Sequence, residues 1–303
     1  MLPSRLASAG SGMAGSFRAG EDEVEFSPRH PFLAGTEYTV AVRGRGSGTI
    51  AGFGQGAGQA RVTEIYPTAV ELPANCLKLY ITFSEPMSEG WASGALTLRT
   101  GEGSVIEGAL LQMNPELWDP ERRRLTVLFE PGRVKRGLAP NLEAGPPLAL
   151  GQQIVVSVDT RFKDASGCDL AAGAQRRYRI GQALRRKVDP SKWTLRSPVQ
   201  GSRRPLRVRF ERSLDRALLE HCLRVIGTFG PVAGKATVGR AESSWSFTPA
   251  EAWLPGTYSL AVDSRLEDLA GNSVARVFDR DLERAEDDPL EGTGFVLPIV
   301  VRS

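Results

Sequence analysis

Val158-Asp159-Thr160-Arg161-Phe162-Lys163-Asp164-Ala165-Ser166-Gly167 and Val262-Asp263-Ser264-Arg265-Leu266-Glu267-Asp268-Leu269-Ala270-Gly271 align without a gap. A match of this length within one chain signals a repeated structural unit, and a repeat changes every later assignment. Upstream of the second copy, Phe247-Thr248-Pro249 precedes Gly256-Thr257 and the alternating Tyr258, Leu260 and Val262. Phe129-Glu130-Pro131 precedes, after a longer insertion, Gly151 and the alternating Ile154, Val156 and Val158. A third copy runs from Phe26-Ser27-Pro28 through Gly35-Thr36 to Tyr38, Val40 and Val42. The opening strands repeat as well: Leu77, Leu79, Ile81 and Phe83 alternate ahead of Met87, and Leu206, Val208 and Phe210 alternate ahead of Leu214. The equal spacing predicts that Met87 and Leu214 return an apolar side chain to a core.

Strict period-two alternation, short strands and frequent turn residues predict an all-β fold of tandem antiparallel sandwiches. Two units are complete, at 61–182 and 183–303, and a third, at 1–60, is partial. The partial unit holds only the closing half of the pattern and runs into the glycine-rich stretch 44–58, which reads as a flexible linker. Half a sandwich leaves an apolar face uncovered, so the unit is expected to lack an N-terminal segment or to lean on its neighbour. Helix is expected to be scarce, with Leu214–Glu220 the best candidate, a turn or two long. Phe295–Val301 reads as the last strand, and Glu286-Asp287-Asp288-Pro289 as a solvated acidic loop.

The 303 residues carry 38 Lys and Arg against 35 Asp and Glu, and only six of the cations are Lys. In Leu206-Arg207-Val208-Arg209-Phe210 the arginines alternate with apolar residues, as on the wet face of a strand. Arg122-Arg123-Arg124 reads as a strand entrance and Arg185-Arg186-Lys187 as a linker. No aromatic residues interleave with the arginines as a nucleic-acid stacking platform requires, so no nucleic-acid partner is expected. No apolar run approaches the roughly 18–20 residues that span a bilayer, and the N-terminus lacks the apolar core of a secretory signal. The three cysteines, Cys76, Cys168 and Cys222, have no zinc-ligand spacing. Cys76 and Cys168 fall in one unit, where either a disulfide or buried thiols would fit. His30 and His221 are the only histidines, which removes most histidine-dependent catalysis.

Phe83-Ser84-Glu85-Pro86-Met87, Pro255-Gly256-Thr257-Tyr258 and Asp268-Leu269-Ala270-Gly271-Asn272 resemble the motifs of the bacterial Ig-like domain of the S-layer-protein type, bacterial Ig-like family 5. The resemblance covers roughly 61–303 and part of 17–42. Cys168 stands where that pattern has Asn, and the partial unit lacks both outer motifs. The resemblance implies an exported, periplasmic or cell-surface protein built of tandem modules, with other envelope proteins or surface polysaccharide as partners.

The motif residues themselves read structurally. Asp268 with Gly271-Asn272 fits a tight turn whose carboxylate caps backbone N–H groups. The alternative is calcium, held by Asp263 and Asp268, with Asp159, Asp164 and Asp169 as the counterpart. Calcium takes six to eight oxygens, and two or three carboxylates per loop fall short, so turn stabilisation is preferred. Trp245 and Trp253 flank the Phe-x-Pro crossover and are expected to pack in the core. Trp91 and Trp118 read as loop residues that pack or else offer a sugar-stacking face. The G-x-S-x-G, G-x-x-x-x-G-K-[ST] and H-E-x-x-H patterns are absent. The expectation is a non-catalytic scaffold or adhesion protein without a cofactor, with a carbohydrate- or calcium-binding accessory module as the alternative.

Overall fold

The computed structural model describes residues 2–3, 13–20, 23–29, 32, 37–42, 45–51, 58–290, 292 and 294–301. His30 and the Gly35-Thr36 turn lie outside them. In the N-terminal part β1 (Leu2–Pro3), β4 (Glu37–Val42) and β5 (Arg45–Ala51) form one sheet, and β2 (Gly15–Ala19) and β3 (Val24–Pro28) form a separate hairpin. Within the glycine-rich stretch, Arg45–Ala51 is therefore strand and not linker. Gly46 pairs with Ala41 and Gly48 with Val40, so these two glycines serve a backbone ladder that needs no side chains.

The middle sandwich comprises β6 (Val62–Tyr66), β7 (Glu71–Pro73), β8 (Lys78–Phe83), β9 (Leu96–Thr100), β10 (Leu117–Trp118), β11 (Arg124–Leu128), β12 (Gln153–Val158) and β13 (Ala174–Gly181). Its sheets run β10-β11-β8-β6 and β7-β13-β12-β9, antiparallel except where β7 pairs parallel with β13. The C-terminal sandwich comprises β14 (Thr194–Arg196), β15 (Leu206–Arg209), β16 (Leu223–Gly227), β17 (Gly230–Pro231), β18 (Gly234–Val238), β19 (Ser244–Pro249), β20 (Tyr258–Asp263) and β21 (Gly294–Ile299). Its sheets run β14-β15-β19-β18 and β17-β16-β20-β21. Without β7 and β17, both sandwiches have four strands facing three in the order of a constant-type immunoglobulin domain. The fold is a tandem of Ig-like sandwiches with a partial unit ahead of them.

Alternation explains the two cores. Leu79, Ile81 and Phe83 of β8 face Ile154, Val156 and Val158 of β12 within one buried cluster. Leu206 and Val208 of β15 join Trp245, Phe247 and Trp253 in the other, while Arg207 and Arg209 stay exposed. Burying each large apolar side chain contributes roughly 1.5–3 kcal/mol. Met87 and Leu214 are fully buried, each bridging to the aspartate of the repeated turn, Asp164 and Asp268.

Leu214–Glu220 yields only a single 3-10 turn, Leu218–Glu220, begun where the Asp215 carboxylate accepts the Leu218 N–H at 2.9 Å. Three short helices the alternation did not announce, α1 (Ala92–Ala95), α2 (Pro131–Val134) and α3 (Ala139–Ala144), occupy strand connections. Glu130 caps α2 through the Gly132 N–H. Among the described residues no helix is long and apolar enough to cross a membrane.

Candidate functional site

The repeated aspartates hold turns. Asp164 Oδ1 accepts the N–H groups of Ser166 and Cys168, both at 2.9 Å. Asp268 Oδ1 accepts those of Ala270 and Asn272 at 2.9 and 3.0 Å. Asp159 and Asp263 each take the backbone N–H and guanidinium of the arginine two residues on, Arg161 and Arg265. Asp169 pairs with Lys163 at 2.6 Å. Each of the five carboxylates thus has N–H partners, and among the described residues no group of three or more His, Cys, Asp or Glu is placed to hold a metal ion.

Trp118 lies on β10 and not in a loop, against Phe83 and Phe162, with its indole N–H on Glu116. Trp91 stands at the N-terminal end of α1 without a side-chain capping bond and lies half-buried on the core, with Lys163 over its ring at 5.7 Å. Trp245 and Trp253 are core residues. All three cysteines are free, so Cys76 and Cys168 are not joined. Burial pushes the Cys76 thiol up to about 12 and raises that of Cys222 as well. Because the thiolate is the reactive form, a thiol-specific disulfide reagent at pH 8 is expected to modify half-buried Cys168 first. Cys76 and Cys222 should react only after denaturant is added, and fast reaction of Cys76 in the folded chain would contradict this.

A polar constellation joins the two complete sandwiches. Lys78, the first residue of β8, donates to Asp215 at 2.9 Å and Glu267 at 2.8 Å. Burial opposes its charge, but the two carboxylates prevail and its pKa stands above the ordinary lysine value. Tyr80 donates its hydroxyl to the Asp215 carboxylate at 2.7 and 2.9 Å. Burial, then the Asp215 charge, raises the Tyr80 pKa, so the phenol stays protonated. Asn75 reads the connecting chain on both sides: its amide donates to the Leu184 carbonyl at 2.6 Å and its oxygen accepts the Leu184 N–H at 2.8 Å. The segment leading into Arg185-Arg186-Lys187 is thereby fixed to the middle sandwich. Leu77 donates its N–H to the Leu269 carbonyl, and Leu269 belongs to the core of the middle sandwich.

Glu242, only 1% exposed, accepts the Thr68 N–H at 2.8 Å and its hydroxyl at 2.7 Å. Burial raises its pKa against those two donors. Arg216 stacks over Tyr66 at 5.2 Å, Arg124 meets Glu220 at 3.3 Å, and Arg136 meets Asp279 at 2.7 Å. Beside this set Asp268, fully buried, receives Arg212 at 3.1 Å.

Burial pushes the Asp268 carboxyl up to about 6, against Arg212 and the Asn272 and Ala270 hydrogen bonds. With its folded pKa above its unfolded one, the folded chain holds an extra proton between about pH 4 and pH 6, and stability falls as pH rises through that window. Relative to Asp268→Asn, wild type is expected to lose on the order of 2–3 kcal/mol between pH 4 and pH 7. Urea midpoints of both proteins across that range measure it, and a constant difference would contradict it.

The same fold position grips the preceding unit twice. The carbonyl of Arg122 accepts the Met87 N–H at 2.9 Å, as that of Glu242 accepts the Leu214 N–H at 3.0 Å. Both residues are buried, with φ of 56° and 49°. Where Glu242 takes Thr68, Arg122 donates to the Pro28 carbonyl at 2.6 Å. Alternation hides these residues, because the partners of Tyr80 and Glu242, Asp215 and Thr68, belong to the adjoining sandwich. The one signal was the repeat itself, which sets Tyr80 opposite Arg207.

No family model matches the chain, and no curated protein matches it. Among solved structures it is similar to native alpha-2-macroglobulin from Escherichia coli spanning domains MG0-NIE-MG1, at 8% identity over 80% of this chain and 72% of that one, with a TM-score of 0.28. Chimeric titin Z1Z2 functionalised with a KLER peptide from decorin is 12% identical over 69% and 91%, with a TM-score of 0.23. The FN1–FN3 domains of chicken CNTN1 are 11% identical over 89% and 79%, with a TM-score of 0.21. The class of protein, a tandem Ig-like β-sandwich protein, rests on the strand order.

Proposed function

We propose that the chain is a non-catalytic structural module, a stiff spacer of Ig-like sandwiches belonging to an exported, envelope-associated scaffold. The observation that carries this reading is the junction. Lys78, Tyr80, Asp215, Asn75 and Glu242 are withdrawn from water between two sandwiches, and their hydrogen bonds are met in one arrangement only. Buried polar groups left unmatched cost several times what a matched one contributes, so the junction favours one relative orientation. A surface-located partner or polysaccharide is the expectation drawn from the S-layer-type motifs at Phe83–Met87 and Asp268–Asn272. Fractionation of the source cells tests the location: recovery with the envelope or medium fits the reading, and recovery of the chain in the cytoplasm overturns it. The carbohydrate- and calcium-binding alternatives predict binding lost on Trp91→Ala or Trp118→Ala, or a melting temperature lowered by chelator.

A further inference from the structure

The C-terminal sandwich repeats, on its outer surface, the face by which the middle sandwich holds its neighbour. In the sheet of β8, Tyr80 pairs with Tyr66 and Thr126, and this row, with Lys78 and Arg124 beside it, receives the acidic loops around Asp215, Glu220 and Glu267. In the equivalent sheet Arg207 pairs with Arg196 and Ser246, and Arg209 pairs with Thr194 and Ser244. Lys235, opposite Thr248, extends the same face toward its β18 edge. Arg196, Arg207, Arg209 and Lys235 are all exposed, and none forms an ion pair with a described residue. The connection after β11 sends Lys135 and Arg136 onto Phe278 and Asp279 of the neighbour. The connection after β19 instead leaves Leu254 65% exposed.

We propose that this face is a docking surface for an Ig-like sandwich of a partner protein whose loop end is acidic, seated as the C-terminal sandwich is seated on the middle one. Charge complementarity identifies the occupant: a cationic, hydroxyl-bearing sheet face without carboxylates matches clustered carboxylates. The chain's own junction shows that this face of the fold takes such a loop end. The inference rests on the junction geometry and is independent of the envelope location.

The probe is the full chain carrying Lys78→Glu and Arg124→Glu, in which Asp215 and Glu267 lose Lys78 and Glu220 keeps only Arg216 of its two cationic partners. It is passed over immobilised wild-type chain at low ionic strength. The expected result is binding roughly tenfold or more above that of wild type passed over the same surface, a difference of about 1.4 kcal/mol or more. Binding should be abolished when the immobilised chain carries Arg207→Glu and Arg209→Glu. If circular dichroism shows that the reversed probe is unfolded, the milder Lys78→Gln, Arg124→Gln chain replaces it. Probe binding equal to that of wild type, or binding indifferent to Arg207→Glu and Arg209→Glu, overturns the proposal. So does a wild-type chain that retains dextran sulfate through those two arginines while ignoring the probe, since the face would then serve a polyanion.

Discussion

Asp215→Ala is expected to destabilise the paired sandwiches by about 3–5 kcal/mol, the usual cost of removing one partner from a buried ionic group. The carboxylate is 1% exposed and has three dependants. Tyr80 loses its acceptor, Lys78 keeps only Glu267, and the 3-10 turn at Leu218 loses the group that begins it. The phenol and ammonium then stay in a site that water reaches poorly. For a body of this size the loss corresponds to a fall in Tm on the order of 10 °C. Differential scanning calorimetry measures it. Asp215→Asn, which keeps an acceptor for Tyr80, should recover part of the loss. A fall in Tm of only a degree or two for Asp215→Ala would show that the cluster is a solvated surface network.

Gly271→Val is the second large effect. Gly271 has φ of +77°, a region a β-branched residue enters at a cost of roughly 1–3 kcal/mol. A Cβ there would also stand 2.6 Å from Leu77 Cδ2 and 3.4 Å from the Phe278 ring, both at the junction. Overpacking adds about 1–3 kcal/mol, so the combined loss is about 2–6 kcal/mol. Because the clash falls between the sandwiches, the variant should also loosen their coupling. Gly137, with φ of +75° but open space around it, separates the two causes. Gly137→Val should cost the backbone strain alone, and urea denaturation of the two variants compares them. Equal losses would show that the contact with Leu77 is unimportant.

The fold was legible where side chains obey the period of a strand. Leu79, Ile81 and Phe83 announced β8, and the duplicated Val-Asp-x-Arg run announced a turn that both sandwiches build from the same carboxylate hydrogen bonds. Composition misled at Arg45–Ala51, where glycines pair as a strand because a ladder is made of backbone. It misled again at Trp118, which a two-residue strand carries into an aromatic cluster. The junction was harder to read. Tyr80 and Lys78 alternate with the core residues Leu79 and Ile81, so they point away from their own core, and their carboxylate partners Asp215 and Glu267 lie in the neighbouring unit. Local pattern cannot register a contact between Lys78 and Glu267, which lie in different repeats. Comparing the repeats position by position points to it, because Tyr80 and Arg207 share a place in the fold and differ in what covers them.

The junction is proposed to hold the two complete sandwiches in one orientation. Spin labels at Glu102→Cys and Glu251→Cys, exposed positions on the middle and C-terminal sandwiches, test it directly in the full chain with Cys168→Ser to silence the accessible thiol. A junction of fixed orientation gives a single narrow distance distribution by pulsed electron–electron double resonance, broadened when Asp215→Ala is added. A broad distribution in the otherwise wild-type chain, unchanged by Asp215→Ala, would contradict it.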